Sequence, residues 1–81
     1  MSVQVRYFAS LADRTGRVTE PFEIAEGADV QALWRLVVLR HPGLADLPFR
    51  PLVACDLSYA EWDQALDGVE EVAFLPPVSG G

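Results

Sequence analysis

Only one stretch of this 81-residue chain carries a helical apolar stripe with both a start and a stop. Val30, Leu33, Trp34, Val37 and Val38 recur at the spacing that places them on one face, and Asp29 stands before them as an N-cap. Proline disfavours helical geometry in the residue before it, so Pro42-Gly43 ends the helix near Arg40-His41. A lone helix must bury its stripe on another element, and the flanking segments supply strands. Val3, Val5 and Tyr7 alternate with Gln4, Arg6 and Phe8, and Val18, Phe22 and Ile24 make a second alternating set. Pro21 lies inside that set and has no N–H, which demands an edge position or a bulge. Between the two, Ala9 to Arg14 has room for a helical turn that Thr15-Gly16 breaks. Beyond the helix, a long loop through Pro48 and Pro51 leads to a short buried strand, Leu52-Val53-Ala54-Cys55. Tyr59 to Trp62 is a further strand candidate, Asp67-Gly68 a turn, and Glu71 to Leu75 the last strand. The order predicts an α+β domain whose sheet packs one face on one main helix.

Length and charge narrow the function. A chain of this size forms one domain and buries about 60% of the surface its unfolded form exposes. The formal net charge is −6, and the six positive residues are all arginine, with no lysine. Nucleic acid binding needs clustered cations to displace counterions, so scattered arginines on an acidic chain argue against that partner. A basic protein partner would gain from the complementary field, although acidity also serves solubility alone. Cys55 is the single cysteine, which excludes an internal disulfide and any multi-cysteine metal site, and is consistent with a reducing compartment. The opening Met1-Ser2-Val3-Gln4-Val5 has no secretory pattern, and the longest aliphatic run, Leu36-Val37-Val38-Leu39, falls far short of the roughly 18 residues of a membrane helix. The expectation is a cytoplasmic protein with no membrane contact.

Candidate catalytic groups are few. His41, beside Pro42-Gly43, has no recognisable partner in the sequence and is expected to assist the last helix carbonyls. Cys55 sits in a hydrophobic strand without a nearby basic residue, which predicts a buried, inert thiol. Asp67 and Glu70-Glu71 are expected to form a solvated turn and rim, because neighbours on a strand face opposite ways. Trp34 and Trp62 are expected in packing. With one histidine, no Ser/His/Asp set can be assembled, and no metal site or phosphate-binding glycine loop is present in the pattern.

The end of the sequence reads differently. Gly80-Gly81 is slim enough to thread a channel that any other residue would block, although a frayed end tolerates glycine equally. Ahead of it, Pro76-Pro77 lacks two amide donors and fixes φ, so the sheet must stop and the chain must leave as a stiff, extended stalk. From Pro76 to Gly81 that stalk reaches about 20 Å.

The run Val72-Ala73-Phe74-Leu75-Pro76-Pro77-Val78-Ser79-Gly80-Gly81 resembles the C-terminus of the small subunits of molybdopterin synthase. The likeness extends to Val5-Arg6-Tyr7-Phe8-Ala9, Leu11-Ala12, Thr15-Gly16, His41-Pro42 and Leu52-Val53-Ala54. This chain departs from many relatives at Cys55-Asp56, where an Asn is common, and at Leu75, where a second aromatic is common. The resemblance implies a ubiquitin-like β-grasp, with a mixed sheet on one main helix, in residues 1–75 and an extended tail in residues 76–81. It implies a sulfur carrier, not an enzyme on its own, within a heterotetrameric synthase. Gly81 would be adenylated by an E1-like adenylyltransferase that consumes ATP, then converted by a persulfide sulfur donor to a thiocarboxylate. Pro76, Pro77, Val78, Ser79 and Gly80 would carry that group into the large subunit, where it would supply sulfur to cyclic pyranopterin monophosphate for the molybdenum dithiolene. Apolar contacts around Phe74 and Leu75 would hold the partner; because successive strand residues face opposite sides, Leu75 would be the outward one that docks on the large subunit and Phe74 would pack inward. No cofactor or metal would be held permanently. Carriers for thiamine synthesis or tRNA thiolation, and ubiquitin-like protein modifiers, share enough of this pattern to remain alternatives.

Overall fold

The computed structural model describes residues 1–77. Along the chain lie β1 (Ser2–Tyr7), α1 (Ser10–Thr15), β2 (Thr19–Glu23), α2 (Val30–Arg40), a 3₁₀ turn (Pro42–Leu44), β3 (Leu52–Cys55), β4 (Ser58–Ala60) and β5 (Glu71–Leu75). The strands form one five-stranded sheet in the order β2-β1-β5-β3-β4. β1 and β5 run parallel, and every other neighbouring pair is antiparallel. The last strand of the sequence is thus the central strand of the sheet.

α2 begins where the cap chemistry puts it: the Asp29 carboxylate accepts a hydrogen bond from Ala32 N at 2.9 Å. Val30, Leu33 and Val37 are wholly buried against Val3, Val5, Tyr7, Val53, Val72 and Phe74. Each such side chain is worth about 1.5–3 kcal/mol relative to exposure, more than the local propensity of so short a helix supplies. In the strand register Val5 faces Val72, and Tyr7 and Val53 flank Phe74, so the core-facing residues meet in rows. Trp34, Trp62 and Phe74 extend the core as an aromatic cluster, with ring centroids 4.8 to 5.9 Å apart. α1 ends on Gly16, whose φ of 73° is left-handed and whose N–H returns to the Ala12 carbonyl.

Several expectations need correction. Val18 is 61% exposed, because β2 starts only at Thr19; the inward positions of that strand go to Glu20 and Phe22, followed by Ile24. Pro21 does lie on an edge strand, opposite Gln4. In β3 only Val53 is fully buried: Leu52 and Ala54 lie on the uncovered face, and Cys55, though on the core-facing register, is half-buried at the end of the strand. β4 starts at Ser58, directly after a two-residue turn, and does not reach Trp62. The loop after α2 also contains a 3₁₀ turn that buries Leu44, held to α1 by Arg14, which donates to the Gly43 carbonyl at 2.9 Å and pairs with Asp46 at 3.1 Å. No helix among the described residues is long and apolar enough to cross a membrane.

Candidate functional site: the open face of the sheet

α2 covers one face of the sheet, and the other carries an apolar groove. β5 sends Val72 and Phe74 into the core, both wholly buried, and turns Glu71, Ala73 and Leu75 to the open side. Ala73 stands in register with Arg6 on β1 and Ala54 on β3, and Ala54 is in turn opposite Tyr59 on β4. The two alanines leave a shallow floor. Phe8, Leu57, Tyr59 and Leu75 rise around it and enclose a groove of about 500 Å³. The Arg6 guanidinium pairs with Glu71 at 3.3 Å, at the end of β5 away from Leu75. Phe8, Leu57 and Tyr59 are 40%, 91% and 74% exposed, a concentration of apolar surface that a domain of this size does not need for its own core.

β5 ends at Leu75; Pro76 is half-buried and Pro77 exposed, both outside any strand. The chain therefore leaves β5 at the rim of the groove. Val78, Ser79, Gly80 and Gly81 lie outside the described residues. Of the pair Phe74 and Leu75, Phe74 is fully enclosed in the core and has no side-chain surface to offer, which removes it from the residues that could contact a partner. Leu75 is half-buried and borders the groove. Phe8, Leu57 and Tyr59 were not singled out from the sequence as partner-facing. The alternation of β1, which places Phe8 opposite Tyr7, was a usable signal for the first of them; the other two depend on a hairpin whose register only the fold reveals.

The remaining titratable candidates fall elsewhere. His41 does not serve the helix carbonyls with its ring: its backbone N–H caps Val37 O at 2.8 Å, while Nε2 is hydrogen-bonded to Glu20 Oε1. Tyr7 donates its hydroxyl to the same oxygen at 2.6 Å, and Arg17 and Arg40 approach Oε2 at 3.5 and 3.7 Å. This cluster belongs to the helix side of the sheet, as buried Tyr7 does, and ties β2 to the end of α2. Cys55 is half-buried on the core-facing register beside Val72. Burial, and then the neighbouring Asp56 charge, push its thiol pKa up, which disfavours the nucleophilic thiolate. Among the described residues no group of three His, Cys, Asp or Glu side chains is placed to hold a metal ion.

The ThiS family model fits residues 5–81. The molybdopterin synthase sulfur carrier subunit of Homo sapiens is 38% identical over 82 residues, spanning 98% of this chain and 93% of that protein. The protein of the same name in Chlamydomonas reinhardtii is 31% identical over 83 residues and is matched over 100% of both chains. Among solved structures, SAMP1 from Haloferax volcanii superposes with a TM-score of 0.87 at 28% identity over 100% of each chain. With its mixed sheet on one main helix as a ubiquitin-like β-grasp, and with molybdopterin synthase sulfur carrier subunits as relatives, the chain belongs to the ThiS family.

Proposed function

We propose that the protein is the sulfur carrier subunit of a molybdopterin synthase and acts through a thiocarboxylate at Gly81. The observation that carries this reading is the full-length likeness to molybdopterin synthase sulfur carrier subunits. The geometry supports it: the central strand delivers the chain to Leu75 at the rim of an apolar groove, and Pro76-Pro77 then starts the tail. A partner seated on the groove stands where it can receive that tail.

The chemistry is set by the carboxylate. An anionic carboxylate is a poor electrophile, so an E1-like enzyme first joins Gly81 to AMP at the expense of ATP. A persulfide sulfur then attacks the acyl carbon and AMP departs; cleavage of the S–S bond by a second thiol leaves the thiocarboxylate. The large synthase subunit receives the tail and transfers the sulfur to cyclic pyranopterin monophosphate, and two deliveries complete each dithiolene. The small subunit holds no permanent cofactor, and residues 76–81 work as a tail on a domain formed by residues 1–75. A cytoplasmic location suits a carrier with one free, poorly ionised thiol.

Intact-mass measurement after incubation with the activating enzyme, ATP and a persulfide source tests the reading. One oxygen-to-sulfur exchange at the C-terminus is expected in the wild type and in Cys55→Ala, and none after deletion of Gly81. Sulfur found on Cys55 would overturn the mechanism. The likeness to SAMP1 of Haloferax volcanii, a small archaeal modifier protein, favours a second reading, attachment of Gly81 to lysines of other proteins. With no lysine of its own, this chain cannot extend itself into lysine-linked polymers.

A further inference from the structure

The turn between β3 and β4 consists of Asp56 and Leu57, with φ of 47° and 72°. Two consecutive positive φ values characterise the turn that matches the twist of a hairpin, and glycine or asparagine is the usual second residue. Asp56 is compensated for its conformation. Its carboxylate accepts from Glu70 N at 3.1 Å and Glu71 N at 2.9 Å, and its own N–H donates to the Glu71 carbonyl at 2.9 Å. These bonds lock the hairpin onto the start of β5. Leu57 has no such compensation: it holds a branched apolar side chain in a left-handed conformation with 91% of its surface exposed. In the isolated chain glycine would serve this position better on both counts.

From this we infer that Leu57 is a preset anchor for the large synthase subunit, a rigid apolar knob that enters a socket on that partner when the groove is covered. The inference rests on the functional reading above. Three features favour this occupant. Leu57 borders the same groove as Tyr59 and Leu75, and Leu75 leads directly into the tail, so a partner that takes the tail also covers the hairpin. A knob that is costly in the free chain suits a standing subunit contact, whose interface is more apolar than a passing one. Asp56 and Glu70 flank the hairpin, so the socket is expected to have an apolar floor and a cationic rim.

The test uses the full-length chain, its Leu57→Gly and Leu57→Met variants and the purified large subunit, with calorimetric titration and thermal melts. Leu57→Gly is expected to weaken binding about tenfold while its thermal midpoint stays level or rises; Leu57→Met should bind within about threefold of wild type, since it restores the apolar knob. A loss of less than threefold for Leu57→Gly overturns the inference, as does a clear fall in its midpoint, which would make Leu57 structural. If Leu57→Gly impairs only loading by the activating enzyme, or only self-association of the free chain, the occupant is a different one and the inference fails. Should the wild type itself not bind the large subunit, the functional reading fails first, and this inference with it.

Discussion

Glu20 occupies the inward position of an edge strand, where the pattern of its neighbours calls for an apolar side chain, and only 4% of it is exposed. Burial by itself would push its pKa up. The hydrogen bonds from Tyr7 and His41, then the charges of His41 and Arg40, outweigh burial and hold the carboxyl below its ordinary 4.5. Tyr7 moves the opposite way: burial first, then its bond to Glu20 and the Glu20 charge, keep the phenol protonated well above the ordinary 10.0. The signs follow from linkage. Glu20 contributes its stability fully above pH 4.5 and loses it as pH falls through the lowered value. Tyr7 costs nothing below pH 10.0, but above that the unfolded chain ionises while the folded one does not, so stability declines. Tyr7→Phe is expected to cost about 1.5–3 kcal/mol at neutral pH, because a buried carboxylate loses a donor. It should also shallow both limbs of the stability curve, measured by urea unfolding from about pH 3 to about pH 11. A Tyr7→Phe curve parallel to that of wild type would mean that the hydroxyl is not what couples these groups to folding.

At the scale of elements, the entry to α1 is the least comfortable join in the fold. Ala9 precedes the helix at φ 51°, ψ −124°, with no side-chain cap, and its Cβ is exposed. A helix of 6 residues cannot dictate that geometry; it is imposed by β1, whose next residue, Phe8, still donates its N–H to the Phe74 carbonyl at 3.2 Å. Glycine accepts such a conformation without strain, so Ala9→Gly is expected to stabilise the domain by about 0.5–1 kcal/mol, with an unchanged denaturant slope. A loss of stability would show that Ala9 is not strained in solution. The contrast with α2 shows what the sequence could reveal. Its limits were legible because Asp29 and Pro42 act on residues beside them, and β1 and β5 were legible because alternation is local too. The pairing order, the short β4 and the Glu20 cluster were not: Tyr7 lies 13 residues from Glu20 and His41 lies 21, and no periodicity spans such distances. The groove was half legible. Phe8 and Leu75 could be assigned to a face, whereas Ala54, Ala73 and Leu57 gain meaning only once β5 lies between β1 and β3.

For the whole molecule, the consequence of one helix on one side of a sheet is that the core and the open groove use opposite faces of the same strand. Phe74 and Leu75 are adjacent in β5, yet the first touches the Trp34 and Trp62 rings in the core and the second borders the open groove. Truncation of a fully buried phenylalanine costs about 3–5 kcal/mol. A domain of this length has only about 4–12 kcal/mol of total stability, so Phe74→Ala should lower the thermal midpoint sharply and leave part of the chain unfolded at working temperature. Leu75→Asp faces a different balance. Its carboxylate would sit at a half-exposed rim with water available, so folding should change by less than about 1 kcal/mol. In a complex that covers the groove the same carboxylate would be stripped of water without a partner, and affinity for the large subunit should fall at least tenfold, the loss expected from one leucine contact even before that charge is counted. Melts and titrations of both variants decide the matter together. If Leu75→Asp binds like wild type, the open face is not the docking face; if it unfolds like Phe74→Ala, the two faces are not independent, and neither binding loss could be read as a contact.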